Sequence, residues 1–275
     1  MDSSKPLLCR VDGVIGDQVS LLSRGDLGRL YVMDWCAPVP FFGNLLSSDV
    51  ATVGLNPSSS EFVGHGGQPI RGMERRLPSL LSLRIGHWEG CTDTHIRSIR
   101  QECLEYFTRN PYDRWFRRLD RIVAGANASF YPGGARPACH LDLVPFATKR
   151  KWGALPSAVR SELLSLGANS LGRLINSSRI RVLLLNGSSV ATAMGQLEGL
   201  TLARERVPDW DLPRASGRPV PGYRYEGIAT SLAGVTLDRP ITVVGYNHNI
   251  QSSFGISNDL VAKLTDWFGA KGGPH

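Results

Sequence analysis

The sequence predicts an α/β fold, a three-layer α/β/α sandwich on a mainly parallel, four-stranded central sheet. Two observations carry that prediction. Four short apolar runs, at 49–54, 138–145, 180–185 and 241–245, read as strands, and the first is too continuous for a solvated edge, so it reads as a buried parallel strand. Stretches with helical periodicity separate them, which is the alternation of a sheet covered on both faces. No long linker, composition break or internal repeat divides 1–275, so the chain reads as a single domain. Residues 1–35 form a peripheral segment in this reading, and 203–239 an insertion or hairpin-bearing segment.

Residues 1–35 are mixed and weakly periodic. The stretch 35–43, WCAPVPFFG, reads as a rigid lead-in, because Pro38 and Pro40 bias the residues before them toward extended backbone. The first strand runs into Leu55-Asn-Pro-Ser-Ser-Ser60, where proline and serines break the ladder and expose backbone amides at a strand's carboxyl end, the place where open α/β sheets bind ligands. Repeated leucines among Arg71, Arg75, Arg76 and Arg84 predict a short amphipathic helix within 71–88, turning at Gly86. Ile96, Ile99, Cys103, Leu104 and Phe107 fall at helical intervals over 94–107, and a second basic amphipathic helix is expected from Pro111. Segment 125–137 is glycine-rich and reads as a loop that exposes Phe130 and Tyr131. Alternation in the second strand puts His140 and Asp142 on one side and Leu141 and Leu143 on the other. Helices are expected at 156–175, 189–200 and 258–268, with a hairpin near 222–229.

Lys and Arg total 31 against 24 Asp and Glu, a balance of +7 that is compatible with an anionic partner without selecting one. No apolar run is long enough to span a membrane and no signal-peptide pattern opens the chain, so a cytoplasmic location is expected. Cysteines at 9, 36, 91, 103 and 139 make no CxxC pair or zinc spacing, and no metal is expected, although a cluster built from distant thiolates stays open. Neither GxxxxGK[ST], GxGxxG nor GxSxG occurs in a supporting context, so no cofactor is implied. A triad assembled from distant residues also stays open.

The strand-to-loop sequence Val53-Gly-Leu-Asn-Pro-Ser58 resembles the first active-site motif of the uracil-DNA glycosylase superfamily, nearest to the Gly-hydrophobic-Asn-Pro form of its mismatch-specific branch. The resemblance implies that Asn56 positions the attacking water; an Asx turn reinforced by Pro57 is the alternative. Leu141-Asp-Leu-Val-Pro145 is similar to the segment that reads the flipped base, commonly through an asparagine, and here Asp142 takes that place. An ionised carboxylate accepts hydrogen bonds but donates none, which suits the amino group of a cytosine-like base better than the O4 of uracil. Protonation reverses that preference. Asp142 could instead activate the water, stabilise cationic sugar character or serve in a structural ion pair, and His140 could touch the nucleotide or be a satisfied core histidine.

Tyr246-Asn-His-Asn-Ile250 occupies the position of the superfamily's His-Pro-Ser or Asn-Pro-Ser loop but lacks the proline. The resemblance implies that His248 contributes to phosphate binding or to neutralising the leaving base, that Asn247, Ser252 and Ser253 anchor backbone oxygens, and that Ile250 or Phe254 wedges into the duplex. Phe62 and Tyr131 are candidate base contacts, and Ser58, Arg71, Arg75, Arg76, Lys149, Arg150 and Lys151 candidate DNA contacts. The helix arginines at 97, 100, 114, 117, 118 and 121 read as solvated faces. Segments 1–35 and 203–239 lie outside the resemblance. The expected activity is that of a monofunctional DNA glycosylase acting on a flipped damaged or modified base in double-stranded DNA, a modified cytosine first and uracil second, with no obligate protein partner. A non-catalytic nucleic-acid-binding protein and a nucleoside or nucleotide hydrolase are the competing readings, and base-excision repair and defence against modified foreign DNA both stay open.

Overall fold

The computed structural model describes residues 4–214, 217–251 and 255–272. Its helices are α1 (Ser4–Ser23), α2 (Leu80–Leu83), α3 (Asp93–Leu104), α4 (Asp113–Val123), α5 (Ser157–Asn176), α6 (Ser188–Gly195) and α7 (Asn258–Gly272). Its strands are β1 (Val50–Gly54), β2 (Ala128–Ser129), β3 (Arg136–Asp142), β4 (Val182–Asn186), β5 (Ala203–Arg206), β6 (Tyr223–Leu232) and β7 (Val235–Tyr246). They form a three-layer α/β/α arrangement around one sheet of seven strands, in the order β2-β3-β1-β4-β7-β6-β5. Neighbours from β2 through β7 pair in parallel, whereas β6 and β5 extend the sheet antiparallel.

The expectation of four strands is corrected to seven. Four of the seven are the predicted apolar runs, and β1 is buried at all five positions. The other three lack that signal. All four residues of β5 are exposed, and β6 exposes or half-exposes most of its length, because an antiparallel edge covered on one face needs no continuous apolar run. β7 starts at Val235, six residues before the expected Ile241, and its hairpin with β6 turns at Ala233 and Gly234, both at positive φ as a tight primed turn requires.

Two further expectations change. The N-terminal segment is not peripheral: Val11, Val14, Ile15, Val19 and Leu22 of α1 are buried, and the helix packs on α3 and α5. Those positions follow helical spacing, but the polar residues and glycines between them dilute the pattern. The helix expected within 71–88 is reduced to a 3-10 turn at Gly72–Glu74 and the single turn of α2. Pro78 bars a helix through the region, and Ser79 and Ser82 cap α2 reciprocally. The aromatics of 125–137 also pack inward. Phe130 is buried and stacked on Phe107 with ring centroids 5.0 Å apart, and half-buried Tyr131 donates to Asp113 Oδ1 at 2.6 Å.

Candidate active site

β1 lies between β3 and β4, so the chain crosses to opposite sides of β1 in forming them, and a crevice opens at their carboxyl ends. A groove of about 360 Å³ occupies this edge. It is lined by residues 55–59 after β1, Thr148, Arg150, Lys151 and Trp152 after β3, Asn186 and residues 187–190 after β4, and Asn247, Asn249 and Gln251 after β7. A smaller chamber of about 70 Å³ shares Gly54, Leu55, Asn56, Pro57, Ser58 and Trp115 with the groove, and continues inward to Phe42, Glu61, Tyr112, Phe116, His140 and Asp142.

Asn56 stands where groove and chamber meet. Its Nδ2 donates to Pro57 O and Phe146 O, each at 3.2 Å, and to Thr148 Oγ1 at 3.1 Å. Thr148 commits its own hydrogen to Arg150 O at 2.7 Å, so its oxygen can only accept from Asn56. Two carbonyls and a spoken-for hydroxyl therefore fix which end of the amide is nitrogen. No hydrogen bond among the described residues engages Oδ1, which remains a free acceptor.

The parallel register sets Asp142 beside Gly54. A Cβ on Gly54 would overlap Asp142 Oδ1 and lie 2.8 Å from His140 Nε2, so only glycine lets the two side chains approach the strand. His140 is buried among Phe42, Trp115 and Phe116, with its ring centroid 4.9 Å from that of Trp115. Its Nδ1 lies 2.7 Å from Thr52 Oγ1 and its Nε2 3.3 Å from Asp142 Oδ1. A proton on Nε2 faces the carboxylate and leaves Nδ1 to accept from Thr52, so both ring nitrogens are satisfied within the protein. His140 orients Asp142. The carboxylate keeps Oδ2, which no hydrogen bond among the described residues engages.

Glu61 is the chamber's second acid. It is 3 % exposed, and Tyr106 Oη donates to its Oε2 at 2.7 Å. Burial is the main cause that pushes the Glu61 carboxyl up to about 7; the Tyr106 hydrogen bond and the Arg76 charge oppose it, and Asp142 reinforces it. Burial likewise holds the Tyr106 phenol well above its ordinary value, so it remains a donor.

The basic residues divide. Arg150, its guanidinium 4.4 Å from the centre of the Tyr31 ring, lines the groove together with exposed Lys151. Lys149 and Arg71 are exposed but outside the lining. Arg75 is held in an ion pair with Glu102, and Arg76 donates to Ser60 O at 2.8 Å beneath the Tyr112 ring. Ser58 lines both cavities and caps the turn Ser59–Glu61 through Ser60 N.

The loop after β7 is placed differently from its expectation. His248 is buried, lies outside the lining of groove and chamber, and donates from Nε2 to Trp210 O at 2.6 Å; burial lowers its pKa. Asn247 accepts from Tyr223 N at 2.8 Å and donates to Pro221 O at 2.8 Å. Ile250 is fully buried, so it presents no wedge at the surface. Ser252, Ser253 and Phe254 lie outside the described residues. Phe62 packs against Trp35, and Tyr131 sits under Arg117, both away from the chamber, whose aromatic wall is Phe42, Trp115 and Phe116 instead. The doublet Trp115-Phe116 reads in sequence as the apolar stripe of a helix, and half-exposed Trp115 is the member that departs from it. Glu61 carried one faint signal, a lone acid in the serine and apolar run after Asn-Pro.

Among the described residues, no three His, Cys, Asp or Glu side chains gather as metal ligands, and no helix is long and apolar enough to cross a membrane. A scan against protein-family models and a search of curated proteins both returned no match, which leaves the groove, its chamber and their side chains as the grounds for assigning a function.

Proposed function

We propose that this protein is a monofunctional DNA glycosylase that hydrolyses the N-glycosidic bond of a nucleotide flipped into the chamber beside Asn56. The carrying observation is the Asn56 amide, whose nitrogen is held by three acceptors while its carbonyl oxygen stays free at the mouth of the chamber. Such an oxygen accepts a hydrogen from water and turns the water's lone pair toward the sugar carbon.

In this reading the base stacks among Trp115, Phe42 and Phe116, worth about 1–3 kcal/mol per stacked base, against a flipping cost of a few kcal/mol. Asp142, held by His140, accepts from the exocyclic amino group of a cytosine-type base, and its charge stabilises the cationic sugar as the base leaves with the bonding electron pair; the proton shed by the attacking water ends on the departed base. Arg150, Lys151 and residues 188–190 at the start of α6 line the groove, where the flanking phosphates would lie.

The test is abasic-site formation in duplexes carrying uracil, 5-substituted cytosines or bulky hypermodified cytosines, by wild type, Asn56→Ala and Asp142→Asn. The expected result is release of a modified cytosine by wild type and its loss in Asn56→Ala. Undiminished release by both variants overturns the site, and a wild-type preference for uracil overturns the cytosine assignment. Retention of DNA without cleavage makes the protein a binding module, and product from free nucleosides alone makes it a nucleoside hydrolase.

A further inference from the structure

Two acids line one chamber, and the hydrogen bonds around them are not equivalent. Tyr106 Oη accepts the Tyr112 amide N–H at 2.9 Å, which directs its own hydrogen to Glu61 Oε2. When Glu61 carries a proton, that proton therefore sits on Oε1, which no hydrogen bond among the described residues engages. The groups facing Glu61 are Tyr106 and Tyr112 from the segment before α4, Arg76 from the loop before α2, and Asp142 with its partner His140 from β3. Asp142 already supplies a carboxylate acceptor, so a protonated Glu61 would set a carboxyl donor beside that acceptor in the same chamber.

We infer that Glu61, as a carboxylic acid, donates a hydrogen bond to the bound base, and that together with the Asp142 acceptor it selects a heterocycle bearing an amino group beside a ring acceptor. This inference rests on reading the chamber as a base pocket in which Asp142 meets the amino group. The ring nitrogen next to that amino group is an acceptor and takes the Glu61 proton as a hydrogen bond, without proton transfer. Uracil presents the same two functions in reversed order and sets a carbonyl oxygen against Asp142. Burial brings the Glu61 carboxyl up to about 7, so the donor is present at mildly acidic pH and lost as the pH rises through neutrality. In Glu61→Gln the side-chain amide would keep an oxygen for Tyr106 and present a permanent N–H to the chamber.

Free cytosine and free uracil are titrated into wild type, Glu61→Gln and Glu61→Leu at about pH 6 and about pH 8.5, followed by ligand-observed NMR, with both bases neutral over most of this range. Wild type is expected to bind cytosine and to weaken roughly thirtyfold between the two pH values, as the acid fraction of a group titrating near 7 falls. Glu61→Gln should bind at both pH values without that loss, and Glu61→Leu weakly at both. A wild-type affinity equal at the two pH values, a Glu61→Gln variant as weak as Glu61→Leu, tighter binding of uracil, or no binding of cytosine overturns the inference. Abasic-site formation measured in parallel separates the two ideas: pH-gated cytosine binding without DNA hydrolysis defeats only the enzyme, and hydrolysis without the gating defeats only the Glu61 donor.

Discussion

The loop after β1 and the loop after β7 carry similar polar residues at the same edge of the sheet, and the fold uses them in opposite ways. After β1, the Asn56 nitrogen is consumed and its oxygen stays open to the groove. After β7, both ends of the Asn247 amide are consumed, His248 donates to Trp210 O, and Ile250 is buried. The difference comes from β6, the antiparallel neighbour that β1 lacks. Its first residue Tyr223, with Pro221 just before it and Trp210 further upstream, meets the second loop. A polar residue at a strand end is available for chemistry when its lone pair or proton is left unclaimed, not merely because it sits at the rim.

The largest effect is expected of Asn56→Ala. On the proposed reading, removing the Asn56 oxygen should cut base release by about 10²–10⁴-fold with duplex affinity near wild type, read by single-turnover kinetics and an anisotropy titration. A change below about tenfold would make the β1 loop as structural as the β7 loop.

Gly54→Ala tests the close approach behind Asn56. The added methyl overlaps Asp142 Oδ1, so about 1–3 kcal/mol of stability should be lost in urea unfolding. Unchanged stability would show that Asp142 and His140 have room to move.

His248→Leu sharpens the other side. Orphaning Trp210 O should cost about 1–2 kcal/mol while base release stays within about threefold of wild type. The folded-state pKa of His248 lies below its ordinary 6.5, so the folded protein holds fewer protons than the unfolded chain, and its contribution is present above 6.5 and lost as the pH falls through the folded value. The variant should lose that acid-side slope. A hundredfold loss of base release would return the β7 loop to the catalytic role that the resemblance implies.

The smallest effect is expected of Lys151→Ala. Removing one groove-lining charge should make the plot of log affinity against log salt shallower by about 0.9 for duplex DNA, with base preference unchanged. An unaltered slope would place the backbone elsewhere.

Much of the scaffold was legible because its signals are local. β1 reads as buried from five consecutive apolar or small residues, and the apolar spacing of α3 and α5 and the proline ahead of α4 mark those helices within a few residues of their observed bounds. The edge strands were illegible because one-sided burial leaves no continuous run, and α1 because its buried stripe is interrupted by glycines and charges. The sequence places Asn56 and Asp142 at strand ends and His140 one alternate residue before Asp142, and the structure sets all three along one chamber. Glu61 and Phe42 were not legible, since Glu61 owes its environment to Tyr106, Arg76 and Asp142, and Phe42 reaches the chamber by bridging to His140 across β3.

The alternation of strands and helices and the Asn-Pro at the end of a buried strand are written in local sequence. Both follow from side-chain periodicity and from what proline does to its neighbours, which act over a few residues. Partners and burial contributed by distant segments set which of the rim's polar groups remain free, put a second acid in Asp142's chamber, and tie down Asn247 and His248 after β7. Those outcomes depend on hydrogen-bond partners and burial supplied from tens of residues away, and no local pattern encodes which donor will meet which acceptor.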